Sequence, residues 1–444
     1  MKTALQLMLL LAALPRVVDA RDNVVLIFID NVGYGDLGCY GNKVVQTPHI
    51  DQLAREGVRC TDFYIASPSC MPSRAALLTG RHPLRNGLNQ QLWKTPSQEQ
   101  IGLKHDEKLI PQYLKPQGYK SACFGKWNIG FAEGSRPLDR GFDRYFGNIS
   151  GNCDYYTHIY TGRHDWYEGN ESKKVEGYAT YLLADEASRF IRDNREWPFF
   201  LYLPFNAAHF PNRKNKAPGE PVIWQAPDGA FEALGYSPDT QDETQRYHAV
   251  LWALDEGIGR VLKSIGESGV RDKTLVMLIS DNGAFMLTGR GLECASNKPL
   301  RSGGVTTWEG GIRVPAIFRW PDKLEAGTEC RDALWSLDVL PLILRAAGAK
   351  MPSDRVFDGK DPLSTLQGHS GSPHELLCWR YGKYSGLRQG DWKLVQEKPG
   401  AEWQLFNLKS DLGETANLAS SQPDIHRRLV RRFEDWLARM PYQE

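Results

Sequence analysis

Val24 to Ile29 is an unbroken apolar run that stops abruptly at Asp30-Asn31. A run of that length predicts a strand covered on both faces. Ser121 to Phe124, Phe199 to Phe205, Leu275 to Ile279 and Val314 to Phe318 repeat the pattern. Helical signals lie between and after them. Thr47 is placed as an N-cap, Pro48 follows at the first helical position, Ile50, Leu53 and Ala54 share a face, and Gly57 lies past the end. Thr244 to Ile265 and Leu337 to Ala347 have the same apolar period. Strands alternating with helices predict an α/β fold: a large, mostly parallel sheet with helices on both faces. The texture changes near residue 375. Gly386 to Val395 and Trp403 to Leu408 are short, and Asp424 to Leu437 reads as a closing helix. They predict a small C-terminal antiparallel sheet packed by one helix, behind the Gly368 to Pro373 linker. The expected division is a catalytic α/β domain over 21–370 and an α+β subdomain over 371–444.

The first twenty residues read as an export signal. Lys2 supplies the positive start, Leu5 to Leu14 a short apolar run, and Ala20 a small residue before a cut. The run is too short to span a bilayer, and no later segment reaches that length. A soluble periplasmic or secreted protein is therefore expected, lysosomal or extracellular in a eukaryote. With 444 residues, 41% of them hydrophobic, the chain is not a disordered, collagenous or coiled-coil sequence. Lys and Arg total 54 against 53 acids, so no bulk charge draws it to nucleic acid or anionic lipid. The eight cysteines form no Cys-x-x-Cys pair or zinc-like spacing. They read as mostly buried thiols with one or two disulfides, Cys70 excepted.

The polar residues that end the strands carry the chemistry. Asp30-Asn31 ends the first strand, Lys126 follows the strand at 121–124, His209 follows 199–205, and Asp281-Asn282 ends 275–279. Singly, each is an ordinary turn residue. Together they meet at one sheet edge, beyond the carboxyl ends of the strands, where open sheets bind ligands. An oxygen-rich group of this kind suits a hard cation, Ca²⁺ first and Mg²⁺ second. Ser73 to Leu78 reads as a helix stopped by Gly80, which places Cys70 at its N-terminus, where unpaired N–H groups favour an anion. Arg74 lies one turn on, able to pair with an oxyanion. On these grounds alone Cys70 is open to a structural or a functional reading.

Cys70-Met71-Pro72-Ser73-Arg74, followed by Leu77-Leu78-Thr79-Gly80, resembles the signature of the type I (formylglycine-dependent) sulfatases of the alkaline phosphatase superfamily. The resemblance continues through Gly33 to Gly38, Thr47 to Asp51, Gly125-Lys126-Trp127, Asn206 to His209, Ser280 to Gly283, Pro299-Leu300-Arg301 and Glu309 to Pro315, and into Leu387 to Leu394 and Glu414 to Leu418. It implies that a formylglycine-generating enzyme oxidises Cys70, and that the hydrated aldehyde attacks the sulfur of a sulfate ester beside a divalent cation. By the same resemblance Asp30, Asn31, Asp281 and Asn282, with an oxygen on residue 70, hold the cation. Arg74 offsets charge on the transferring group, Lys126 holds the diol, and His209 protonates the leaving oxygen.

Three positions depart from the family pattern: Asn31 stands where an acid is usual, Asn128 where a histidine is, and Gly304 where a lysine is. At an effective dielectric of about 20, two unit charges about 4 Å apart interact by about 4 kcal/mol, so these are not small edits. Asn128, Lys298 and Arg301 become the candidate substrate contacts, Lys298 being the first candidate to replace the missing lysine. The expectation is an exported sulfatase acting on a sulfated small molecule or glycan. The alternatives are a phosphodiesterase or phosphonate hydrolase of the same superfamily, and a non-catalytic binder of sulfated glycans. The aromatic stretch from Tyr155 to Tyr167 suits sugar stacking as well as burial, with packing the favoured reading.

Overall fold

A computed structural model describes residues 21–92, 101–211, 223–286 and 293–442. The proposed export signal lies outside them. Five parallel strands form the centre of a ten-stranded sheet, in the order Thr274–Ser280, Asn23–Ile29, Phe199–Pro204, Lys120–Phe124, Arg144–Gly147. Asn23–Ile29 lies in the middle, with Val24 opposite Leu275 on one side and Phe200 on the other. Its side chains alternate between two cores. Val24, Leu26 and Phe28 join Met71, Leu77 and Leu340 on one face. Val25, Ile27 and Ile29 join Leu53, Leu183 and Leu254 on the other. Each such fully buried side chain contributes about 1.5–3 kcal/mol, which is why an unbroken apolar run marks this strand.

The sheet is mixed, which corrects the expectation of a mostly parallel one. Ala316–Arg319 runs antiparallel to both Thr274–Ser280 and Val58–Cys60, and Tyr167–Glu168 with Glu171–Ser172 adds an antiparallel far edge. An apolar run reports burial and not direction. Direction is set by the connection, and parallel neighbours need a crossover back to the starting edge. After Ser280 the chain reaches Ala316 through loops and the short helix Glu309–Ile312, so it re-enters from the edge it left.

The C-terminal part is as expected. Leu377–Tyr381, Tyr384–Gln389, Trp392–Gln396 and Gln404–Asn407 form an antiparallel sheet. Helix Pro423–Leu437 buries Leu429 and Phe433 against Cys378, Leu387, Leu394 and Leu405. Buried charges join this unit to the large sheet. Lys393 Nζ lies 2.6 Å from Glu309 Oε1 and 3.3 Å from Glu414 Oε1, and Arg388 and Arg313 each lie 2.7 Å from Asp62. Burial opposes ionisation of Glu309, but Lys393, Arg313 and Arg388 outweigh it and hold the carboxyl below its usual range.

All eight cysteines are free thiols, so the expected disulfides are absent. Cys60 and Cys330 stand opposite each other on paired strands and are hydrogen-bonded as thiols. Tyr155, Tyr160 and Trp166 are buried, in keeping with packing, while Tyr156 of the same stretch is 41% exposed. Among the described residues no helix is long and apolar enough to cross a membrane.

Removing Lys393 leaves two buried carboxylates facing each other. Lys393→Ala is expected to destabilise the protein by about 3–5 kcal/mol, and Lys393→Met by a similar or smaller amount. Chemical denaturation followed by fluorescence measures both.

Candidate active site

Adjacent parallel strands deliver the strand-end residues to one place. Asp30 and Asn31 leave Asn23–Ile29, Asp281 and Asn282 leave Thr274–Ser280, and Lys126 and His209 follow the next two strands of the sheet. Asn31 adopts φ 57°, a left-handed turn that asparagine tolerates better than most residues. Cys70 is the first residue of helix Cys70–Thr79, three residues earlier than the apolar pattern indicated. Every residue of that helix is buried, and Gly80 closes it at φ 65°. Nothing but glycine takes that cap cheaply.

Four of the delivered side chains form a fully buried, electrically balanced quartet. Arg74 Nη2 lies 2.7 Å from Asp281 Oδ2 and 3.4 Å from Asp30 Oδ2, and Lys126 Nζ lies 2.5 Å from Asp30 Oδ2. The Asn31 backbone N–H donates to Asp281 Oδ1 at 3.0 Å, and Asn282 Nδ2 donates to Asn31 Oδ1 at 2.5 Å. Cys70 Sγ sits over this group, 3.8 Å from Asp30 Oδ1 and 3.9 Å from Asn31 Oδ1. Burial, reinforced by Asp281 and Asp30 against Lys126 and Arg74, pushes the Cys70 thiol far up. Unmodified, residue 70 is a neutral thiol.

His209 completes the arrangement, with a ring nitrogen within 4.8 Å of Cys70 Sγ and an Asp30 oxygen. Burial and the Lys126 charge push its pKa down to about 3, so the ring is neutral. Its Nδ1 is 2.7 Å from the Phe210 carbonyl oxygen, which can only accept. The hydrogen therefore sits on Nδ1 and Nε2 keeps its lone pair.

The residues present fit a hard divalent cation. Asp30, Asn31, Asp281 and Asn282 all carry oxygen donors, and Asn282 Oδ1 is buried with no hydrogen-bond partner.

Comparison with known proteins accords with this geometry. The profile of the family described as Sulfatase matches residues 22–349. The chain belongs to the sulfatase family. N-acetylgalactosamine-6-sulfatase of Rattus norvegicus is 37% identical over 372 residues, which cover 78% of this chain and 66% of that protein. Steryl-sulfatase of the same organism is 33% identical over 443 residues, covering 80% and 72%. The crystal structure of Ps i-CgsB, solved also in complex with k-i-k-neocarrahexaose, is 30% identical; in the former structure the TM-score is 0.84, with coverage of 94% of this chain and 92% of that one.

The three departures from the sulfatase pattern have structural consequences. Asn31 lies within the oxygen cluster. Asn128 is fully buried at φ 53°, its backbone N–H donating to Ile149 O at 3.0 Å. At Gly304 a Cβ would meet the Phe285 ring at 2.7–2.8 Å and Gly283 O at 2.8 Å, so the space a lysine needs is filled by phenylalanine. Neither of the proposed replacements is placed at the quartet. Lys298 is exposed, its backbone N–H donating to Ser296 Oγ at 3.3 Å. Arg301 is turned toward the C-terminal unit: Nη1 donates to Glu414 O, and the guanidinium lies 3.7 Å from the Trp308 ring centroid. Arg301 is thereby held at the domain junction, whereas the Lys298 backbone stays beside Gly35, with the side chain exposed and in no ion pair with the quartet.

Sequence reasoning missed Gln91, Asn152, Phe210 and Phe285. Asn152 Nδ2 lies 3.4 Å from His209 Nδ1, and Phe210 and Phe285 flank the His209 ring at centroid distances of 4.6 and 6.2 Å. All four sit in irregular segments, where neither periodicity nor a motif marks them.

Gly304→Lys is therefore expected to lower thermal stability and to bring no gain on an aryl sulfate, because the backbone at 304 cannot accept a Cβ without displacing Phe285. Parallel melting curves and initial rates check this, and a faster enzyme with an unchanged melting point contradicts it.

Proposed function

We propose that this chain is an exported sulfatase that hydrolyses sulfate esters of carbohydrates, with residue 70 as formylglycine and one Ca²⁺ held by Asp30, Asn31, Asp281 and Asn282. The observation that carries the reading is the balanced buried quartet beneath the first residue of helix Cys70–Thr79. The hydrated aldehyde supplies a hydroxyl nucleophile, and the cation supplies Lewis acidity that favours its ionised form.

The chain's own residues do the rest. Lys126 and Arg74 each reach Asp30, at the edge of the space above residue 70, and stabilise negative charge that develops there. His209 is neutral, with Nε2 free. It can take the proton that the attacking hydroxyl of residue 70 gives up and pass it to the alcohol oxygen as the S–O bond breaks, a refinement of the purely acidic role expected of it. Phe210 and Phe285 keep water off that imidazole. The two acids and two bases cancel in net charge, so Lys126 and Arg74 would act locally through their N–H donors while the net field above residue 70 would be set by the cation and the nucleophile. That balance suits an ester with one negative charge over a doubly charged phosphate monoester, and sulfate is favoured over a singly charged phosphodiester by the sulfatase relatives. A carbohydrate is favoured over a steroid because Ps i-CgsB, 30% identical over 94% of this chain, has been solved with k-i-k-neocarrahexaose.

Trypsin should release Cys60 to Arg74 as one peptide. Mass spectrometry of active protein from its native host is expected to find formylglycine at position 70, and intact thiol there in active material contradicts the proposal. Asn31→Asp adds a third carboxylate to the cation site and is expected to tighten Ca²⁺ binding in calorimetry. Equal or weaker binding by the folded variant removes Asn31 from the ligand set.

A further inference from the structure

Asn128 is fully buried, and its Nδ2 has no hydrogen-bond partner. An orphaned buried donor of this kind is costly unless a ligand satisfies it. Its other amide atom is occupied: Asn128 Oδ1 lies 3.4 Å from Gln91 Nε2. Gln91 Oε1 in turn accepts the backbone N–H of Met71 at 3.3 Å. Met71 follows Cys70 at the start of the helix, where backbone N–H groups have no partner within the helix.

These contacts have a direction that a single amide would not. A backbone N–H can only donate, so Gln91 must turn its oxygen toward Met71. Its NH₂ group then faces Asn128, which must present its own oxygen in reply. The Asn128 NH₂ is left as the buried, unpartnered end of the chain. Asn128 sits between two parts of the active site. On one side is the helix start at Cys70. On the other is Gly151-Asn152, where Asn152 Nδ2 lies 3.4 Å from His209 Nδ1. A Cβ at Gly151 would stand 3.3 Å from Asn128 Oδ1 and 3.6 Å from Gln91 Nε2, so the glycine keeps this corner open for the pair.

We infer that Gln91 is a positioning residue which fixes the Asn128 amide as a donor to a sulfate oxygen of the substrate. The inference rests on the sulfatase reading above. The relay places a neutral donor where the family pattern has a titratable one, and a neutral amide keeps its donor character at every working pH. Recognition at this corner then depends on amide orientation and not on charge.

The test is calorimetric binding of inorganic sulfate to the calcium-loaded protein. Gln91→Glu keeps the size and the acceptor toward Met71 but loses the donor toward Asn128. It forces the Asn128 amide to turn its NH₂ to the new carboxylate and its oxygen to the ligand. Sulfate binding is expected to weaken about 10-fold or more with an unchanged melting temperature. Relative to wild type at the same pH, it should recover as the pH falls through the pKa of the new carboxyl, which can then donate to Asn128 again. Gln91→Met, with no polar atoms, should weaken binding without any recovery in acid, and it serves if the glutamate variant does not fold. Unchanged binding in a folded variant overturns the relay, as does a loss in Gln91→Glu that acid does not reverse. A wild-type protein that binds no sulfate overturns the sulfatase reading itself.

Discussion

Four charges with no access to water must cancel, and in this protein they cancel at the ends of neighbouring strands. Asp30 and Asp281 leave adjacent parallel strands, Lys126 leaves a third, and Arg74 comes from the helix that starts at Cys70. Removing one partner from a buried pair costs several kcal/mol because the other charge stays buried. The register of Val24 with Leu275 and Phe200, the entry of helix Cys70–Thr79 and the turn at Asn31 are therefore held to one solution. The same constraint prepares the chemistry. On the proposed reading, a balanced floor would leave a bound cation and the nucleophile as the dominant charges above it, in surroundings that screen them little.

The loops around this floor are held by close backbone approach and by one buried carboxyl. A Cβ at Gly283 would stand 1.7 Å from Gly310 O, so the chain after Asn282 can pass helix Glu309–Ile312 only with glycine there. Asp36 accepts from Gly33 N–H, Ser296 N–H and the Tyr247 hydroxyl, and so ties three segments together. Burial pushes its pKa up to about 7 in spite of those bonds. The C-terminal unit is fastened on the far side of the same helix through Lys393, Glu309 and Glu414. Arg301 serves this junction, so a cation that the sequence offered to the substrate is spent on docking the second sheet.

What was legible followed from burial and from strand ends. Unbroken runs such as Val24 to Ile29 have one stable setting, and the residues that stop them lie at the ligand edge whatever the family. Cys70 needed its whole motif, because a cysteine before a short helix has an ordinary structural use. Strand direction was illegible at Val314 to Phe318, since burial does not encode the route of the connection. The side chains that surround the two neutral positions Asn128 and Gly304 were also illegible. Gly304 is explained by the Phe285 ring, and Asn128 by contact with Gln91, and both partners are far away in sequence with no periodic signal. Lys298 and Arg301 were chosen for nearness along the chain, which has little force here: three residues apart, Lys298 lies exposed beside Gly35 while Arg301 is held at the second sheet.

The central claim is that residue 70 attacks sulfur on this balanced floor, so the S–O bond to the alcohol is the one that breaks. The direct test is hydrolysis of a 6-sulfated galactosaminyl disaccharide in H₂¹⁸O, by protein whose residue 70 is modified, with both products weighed by mass spectrometry. The account predicts one ¹⁸O in each released sulfate, once the enzyme has turned over several times, and none in the sugar. Label in the sugar hydroxyl, or the absence of released sulfate from any sulfated saccharide, would contradict it.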